Sequence, residues 1–403
     1  MKINQLWIGL FQKELKEPIY LIKKTLFRDL KNSTKKILIS HSSNDHYGAS
    51  KVLINIIDVF IKNGFEIFLF LPNKGPLNNN EVVKKTNIKI TNLGVFRKKY
   101  LTIFGLINRL YFIIKSSLII KNFIKKNQID LVYINTSTLI SPSIAAKLNG
   151  IPSIYHIHEI PNNNFIYTRF ITTFLNNFAR DIICVSKSVY DFWADRGIKN
   201  NKLKIIYNGF KFNKTKSKII KNDKIVFTTI SRIIPYKGHL LMIRIFDILC
   251  KKNNNIHLQI VGDTLPQYQK YLDKLKLEVM KRGLLDEIKF LGFRNDVKSI
   301  LENSNFLIHT PISADPLPTI IFEAIKCKIP VITNNLGGAY EVLNEGKNGL
   351  IIKNDLIEDS VEKILFYVTN KKKQKKNIEK AHNYVCENFS FEKFKKRILA
   401  TIG

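Results

Sequence analysis

Two cations and two carboxylates stand out by type and spacing. Arg232 and Lys237 lie in SRIIPYKGHL (231–240). A guanidinium offers forked donors to a phosphate and an ammonium offers a point charge, so the pair suits a diphosphate. Two ordinary surface charges are the plainer alternative in a chain this basic. Asp315 and Glu323 lie in DPLPTIIFEAIKCK (315–328). The first falls in a Pro-punctuated loop, the second in a helix expected over 317–327. Ionised carboxylates accept hydrogen bonds, which fits the hydroxyl pairs of a sugar. The first turn of that helix, at Leu317 and Thr319, leaves N–H groups unpaired and so suits an anion.

The histidines divide. His156 and His158, in YHIHEI, share one face of a strand end. His156 reads as a packed strand residue and His158, beside Glu159, as a functional one. No His, Cys, Asp or Glu cluster at metal-ligand spacing joins them, so no metal site is expected. His41 and His46 fall in a loop ahead of a helix, where they touch a ligand or cap the loop. Asp263 stands either beside a nucleotide or as a helix cap. Asn208-Gly209 reads as a turn, with the cleft border as the alternative.

The elements that must position these groups are short β-branched apolar runs alternating with longer helical patterns. Buried parallel strands are expected at 36–40, 66–71, 130–135, 152–157 and 181–186, with helices at 50–63, 103–126, 141–149 and 163–179 between them. The series restarts with strands at 225–231, 256–262, 288–292, 306–310 and 330–333. Two such series predict an α/β fold of two Rossmann-like doubly wound domains facing across a cleft. Ligands of open α/β sheets bind outside the strand C-terminal ends, and the residues singled out above follow such ends. The expected division is 1–34 as an N-terminal extension, 35–210 and 211–380 as the two domains, and 381–403 as a C-terminal helix that packs back on the first domain. KKKQKK (371–376) reads as a solvated connection.

The chain has 403 residues, with 65 Lys and Arg against 32 Asp and Glu, a formal charge of +33. That charge favours anionic partners or reflects a Lys-rich coding bias. Basic residues are spread along the chain and no RNA- or DNA-binding motif is present, so nucleic acid is not the expected partner. Four dispersed cysteines without C-x-x-C argue against a disulfide framework and fit a reducing, cytoplasmic compartment. No apolar stretch reaches the roughly 18 residues of a spanning helix. Two segments could still meet an anionic membrane surface: the apolar and basic residues 1–34, and 103–126. Lys23, Lys24, Lys98, Lys99, Lys115, Lys121, Lys125 and Lys126 lie in or beside them. Packed helices are the alternative for both.

With these motifs in place, the sequence resembles the family 4 glycosyltransferases of the two-domain GT-B fold, over roughly residues 36–370. DPLPTIIFEA with IPVIT and GGAYEVL is similar to that family's E-x7-E block and trailing G-G. SRIIPYKG is similar to its phosphate clamp, and HYGASKVL (46–53) to its N-terminal Gly-rich loop. YNGF (207–210) and QIVGD (259–263) fit the pattern. The resemblance implies transfer of a hexose from a nucleotide diphosphate sugar (a UDP- or GDP-sugar) to a glycan or lipid-linked acceptor, with retention, in polysaccharide or lipopolysaccharide synthesis at the inner membrane face. It implies diphosphate binding by Arg232 and Lys237, and ribose contact by Glu323. It also implies sugar contact by Asp315, N–H contacts at Leu317 and Thr319, close approach at Gly48, and His158 beside the reacting sugar. No Asp-x-Asp metal motif and no cofactor is implied. The sequence departs from the pattern at Asp315 (usually Glu), Pro318, Ser231 and Tyr47 (each usually Gly). These departures mark a subfamily or a weakened site. Other readings are an epimerase or phosphorylase of the same fold, a nucleic-acid-binding protein, and an inactive scaffold.

Overall fold

The computed structural model describes residues 35–402 except 46, 98, 99, 101, 162–164 and 213–223. The expected extension 1–34, His46, Lys23, Lys24, Lys98, Lys99 and most of the Lys/Asn-rich join after YNGF lie outside the described residues.

The first unit alternates strand and helix. It runs β1 (Lys36–Ser40), α1 (Gly48–Lys62), β2 (Glu66–Leu71), β3 (Asn87–Ile90), α2 (Ile103–Asn127), β4 (Leu131–Ile134) and α3 (Ser141–Leu148). It continues through β5 (Ser153–Ile157), α4 (Phe165–Phe178), β6 (Asp181–Cys184), α5 (Lys187–Ala194) and β7 (Leu203–Ile205). All seven strands are parallel, in the order β3-β2-β1-β4-β5-β6-β7. The second unit runs β8 (Ile225–Ile230), α6 (His239–Lys252), β9 (Ile256–Val261), α7 (Gln269–Lys281), β10 (Ile288–Gly292), α8 (Val297–Glu302) and β11 (Phe306–His309). It continues through α9 (Thr319–Lys326), β12 (Val331–Asn334), α10 (Gly338–Val342), β13 (Leu350–Ile352) and α11 (Ile357–Thr369). Its six strands are also parallel, in the order β10-β9-β8-β11-β12-β13. Each sheet reverses strand order beside its first strand, which opens a crevice there.

The central strands bury both faces, so they read as unbroken apolar runs. In α1, Val52, Leu53, Ile56, Ile57 and Phe60 recur at helical spacing and bury against the sheet. The strands absent from the sequence expectation are β3, β7 and β13. All three are edge strands of three or four residues, too short for a clear period.

Residues 371–376 are not a connection. They are the first turns of α12 (Lys371–Asn388), which the Asn370 side chain caps by accepting from the Lys373 N–H. Gln374, Asn377, Ala381 and Val385 form its buried stripe, and the lysines occupy the solvent face. The last helix, α13 (Phe391–Ile402), crosses back to the first unit. Its Phe394, Ile398 and Ile402 join the core made by β1, α1 and β2. Burial of each side chain is worth about 1.5–3 kcal/mol, enough to hold a twelve-residue helix.

Candidate active site

The cleft forms where the strand C-terminal ends of both sheets meet. A cavity of about 340 Å³ is lined by Gly48, His158, Arg232, Lys237, Asp315, Leu317 and Thr319, seven of the eight residues to which the resemblance gives a role. Glu323 lies one turn further along α9, in an adjoining cavity of about 670 Å³ that also holds Gly48, Arg232, Asp263, Arg294 and Thr319.

From the second unit come the cations and the carboxylates. The loop after β8 carries Arg232 and Lys237. It presses onto the end of β11 at Gly238, where φ is +74° and a Cβ would stand 1.8 Å from the Thr310 carbonyl oxygen. Lys237 Nζ pairs with Asp315 Oδ2, and His309 Nε2 lies 3.2 Å from the same oxygen. Burial alone would push the Asp315 carboxyl up; the Lys237 ammonium and His309 reverse this and hold it below the usual carboxylate range. Asp315 and Lys237 are therefore paired with each other in the cleft. The Asp315 loop is held from behind by Gly337. That residue bridges Asp315, and the Gly338 N–H donates to the Asp315 carbonyl at 2.8 Å.

Pro318 ends the loop and supplies no N–H. The N–H groups of Thr319 and Ile320, at the start of α9, have no intrahelical acceptor and border the cavity. Gly48 opens α1 directly opposite. A Cβ there would meet only the Thr319 methyl, at 3.8 Å, so the two helix starts face each other across the cleft.

On the first unit, His158 is set by a chain of hydrogen bonds. The Asn135 amide donates to the Ala49 carbonyl at 3.3 Å and to His41 Nδ1 at 3.2 Å, so its Oδ1 must accept from His158 Nε2, at 2.9 Å. His41 Nε2 then donates to Ser50 Oγ at 3.1 Å, which donates to Asp45 at 2.7 Å. Burial, then the neighbouring His156 and His41, keep His158 well below the usual imidazole range. It is neutral at neutral pH, with its proton on Nε2 and a lone pair on Nδ1. His156 packs beneath it, ring centroids 4.3 Å apart, and its Nδ1 shares a hydrogen bond with the Tyr133 hydroxyl at 2.8 Å. This is the packed strand residue the alternation implied. His41 is a buried member of the chain rather than a loop cap.

Arg232 reaches across the cleft. Its guanidinium carbon sits 3.4 Å from the centroid of the Tyr47 ring. Stacking uses the face of the group and leaves its in-plane donors for a phosphate. Lys51 on α1 lies 3.8 Å from Glu323 on α9. Among the described residues no three His, Cys, Asp or Glu side chains gather as a metal site.

Several residues here were not singled out from sequence: Asn135, His309, and the Phe293–Asn295 stretch that lines the larger cavity. The last had a signal, since it follows the end of β10 just as Arg232 follows β8. Glu341 also went unnoticed. It accepts from the N–H groups of Lys187 and Ser188 at 2.7 and 2.8 Å, and from the Tyr207 hydroxyl at 3.0 Å. It thereby caps α5 of the first unit from α10 of the second.

Two doubly wound domains that face each other across a cleft at their strand ends form the GT-B fold. Comparison with known proteins agrees. The model for Glycosyltransferase Family 4 matches residues 47–213, and that for Glycosyl transferases group 1 matches residues 210–384. An uncharacterized glycosyltransferase of Haemophilus influenzae is 23% identical over 80% of this chain and 87% of its own length. The capsular polysaccharide biosynthesis glycosyltransferase CapM of Staphylococcus aureus is 26% identical over 46% of this chain and 52% of its own. Anabaena HepE, crystallised with UDP and glucose, superposes with a TM-score of 0.75 at 23% identity, covering 91% of this chain and 99% of HepE. The chain is a glycosyltransferase of the GT-B fold, its first unit similar to the family 4 model and its second to the group 1 model.

Proposed function

We propose that this glycosyltransferase moves a hexose from a nucleotide diphosphate sugar to a glycan or lipid-linked acceptor with retention, in surface polysaccharide or lipopolysaccharide synthesis. The observation that carries this reading is the single cavity where Arg232, Lys237 and the start of α9 face Gly48 and His158. UDP is the first nucleotide to test, because HepE was crystallised with UDP. The CapM likeness supports a polysaccharide acceptor. Four free thiols, two of them buried, suit the cytoplasmic side of the membrane.

In this mechanism Arg232 takes the diphosphate bidentately, while the N–H groups of Thr319 and Ile320 add a helix N-terminus. Glu323 accepts from the ribose hydroxyls. The Lys237–Asp315 pair opens toward the donor, with the ammonium to phosphate and the carboxylate to sugar hydroxyls. Leu317 and Thr319 line the sugar. The acceptor O–H attacks the anomeric carbon from the leaving-group face. The bond from that carbon to the phosphate oxygen breaks, its electron pair stays on the diphosphate, and the acceptor proton passes to a phosphate oxygen. Preorganised positive charge stabilises the leaving group. His158, neutral and with its ring fixed, accepts a sugar hydroxyl bond and does not carry the proton.

Thermal-shift binding of UDP, GDP and their sugars, with EDTA present, tests the reading. One nucleotide is expected to stabilise the protein selectively, and Arg232→Ala to abolish the shift. A folded protein that binds none of them would leave the inactive scaffold as the better account.

A further inference from the structure

Contrary to the expectation that no apolar stretch is long enough to span, helix α2 is long and apolar enough to cross a membrane by length and composition, its two or fewer charges per 18 residues not breaking the stretch, yet only 22% of that stretch is buried. Its buried residues are Ile113, Ser116, Ser117, Ile120 and Ile124, and none lies in the first ten positions. The first half stands away from the body. Ile103 and Phe104 are 77% and 87% exposed, and Ile107, Leu110, Tyr111 and Ile114 are exposed with them. The start of α4 adds Phe165 and Ile166, at 73% and 75%. The two helices flank one loop: Gly94 packs on Ile113, and Phe96 packs on Tyr167 and Phe170. An apolar surface shared by two helices is far beyond the scattered exposed Leu or Ile of an ordinary surface.

The charge around it has one sign. From Val82 to Ile129 the sequence holds eleven Lys and Arg and no Asp or Glu. On α2 these are Arg109, Lys115, Lys121, Lys125 and Lys126. Apolar residues interleaved with cations match the acyl boundary and headgroups of an anionic bilayer. Spanning is excluded by the fold, because α2 is the crossover from β3 to β4 and both its ends belong to one sheet.

We propose that the α2 face, with the start of α4, docks on an anionic lipid bilayer, the first turns of α2 entering the headgroup boundary. The surface adjoins the cleft. Ile160 and Pro161, five and four residues ahead of α4, line a pocket with Lys237 and Asp315. Docking there sets the cleft mouth at the membrane, where a lipid-linked acceptor lies. The identity of the acceptor rests on the function proposed above; the docking does not.

Flotation of the full chain with phosphatidylcholine vesicles, with and without phosphatidylglycerol, tests this. Binding is expected only when phosphatidylglycerol is present, and is expected to weaken as salt rises. The double substitution Phe104→Glu and Ile107→Glu, at exposed positions, is expected to lower partitioning at least about tenfold. Lys115→Glu with Lys126→Glu is expected to remove the phosphatidylglycerol dependence. UDP thermal shifts should be the same in all variants, so docking and donor binding fail separately. Vesicle binding that the Glu substitutions leave unchanged would overturn the proposal. So would a lipid-free dimer that Phe104→Glu with Ile107→Glu converts to monomer, since the face would then belong to a second copy.

Discussion

Arg232 serves two contacts through two parts of one planar group. Its face rests on Tyr47 across the cleft, and among the described residues no acceptor takes its N–H donors. Tyr47 stands where the resemblance leads one to expect glycine, so the departure has a physical account: the ring orients the guanidinium before a ligand arrives. A cation–π contact at a partly exposed site is worth about 1 kcal/mol, or about fivefold in affinity. Tyr47→Ala is therefore expected to weaken UDP binding about fivefold by calorimetric titration, and Arg232→Ala to weaken it much further. Equal affinity in Tyr47→Ala and the unaltered chain would mean that the stack orients nothing. Arg232, Lys237 and Asp315 were legible as residues because each lies in a loop that follows a strand end, and Glu323 because it lies on the helix after such a loop. Their engagement with one another was not, because Lys237 and Asp315 lie 78 residues apart.

At the scale of elements, the loops after parallel strands carry the site, and close backbone contact holds them in place. Gly337 has φ +73°, and a Cβ there would stand 2.2 Å from the Asp315 carbonyl oxygen. Gly337→Ala must shift the Asp315 loop or rebuild its own turn, at a cost on the order of 2 kcal/mol. Its unfolding midpoint is expected to drop, and donor turnover to fall further than the lost stability explains. Unchanged denaturation and initial rates would show that the two loops do not lean on each other. Strands buried on both faces announce themselves as apolar runs, which is why β1, β2, β5 and β8 lie where their composition puts them. Edge strands lack that run. α12 was hidden for the opposite reason, since lysines crowd its first turns and its buried stripe rests on Gln374 and Asn377.

Across the whole molecule, ties away from the cleft also hold the units together. α13 returns from the second unit to the core of the first, with Arg180 donating to the Thr401 carbonyl at 2.6 Å, and Glu341 caps α5 from the opposite side. Buried histidines in both units give the fold a shared acid sensitivity. Burial lowers His41 and His239 to about 4 and His156 to about 3, from an ordinary value of 6.5. Their contribution is complete above pH 6.5, where folded and unfolded chains alike leave them neutral. As pH falls below 6.5 the unfolded chain takes up protons that the folded chain refuses, and stability is lost progressively toward pH 4 and below. Each histidine costs up to about 1.4 kcal/mol per pH unit in that window. Urea midpoints measured from about pH 7 to about pH 5 should fall steadily, and a flat profile would contradict the burial of these rings.

The sequence by itself determined what depends on neighbours along the chain. Periodicity marked the two βαβ series, strand ends marked the loops that carry Arg232 and Asp315, and helix starts marked Gly48 and Thr319. Tertiary structure alone decided what depends on closure. It set Tyr47 against Arg232, joined Asp45, Ser50, His41 and Asn135 into the chain that fixes His158, and placed Glu341 on a helix 153 residues away. It also left the first half of α2 outside the core, although its composition alone suited a core helix equally well. The reason is the same in each case: hydrogen-bond geometry and burial are relations between segments distant in sequence, and no local pattern of residue types specifies them.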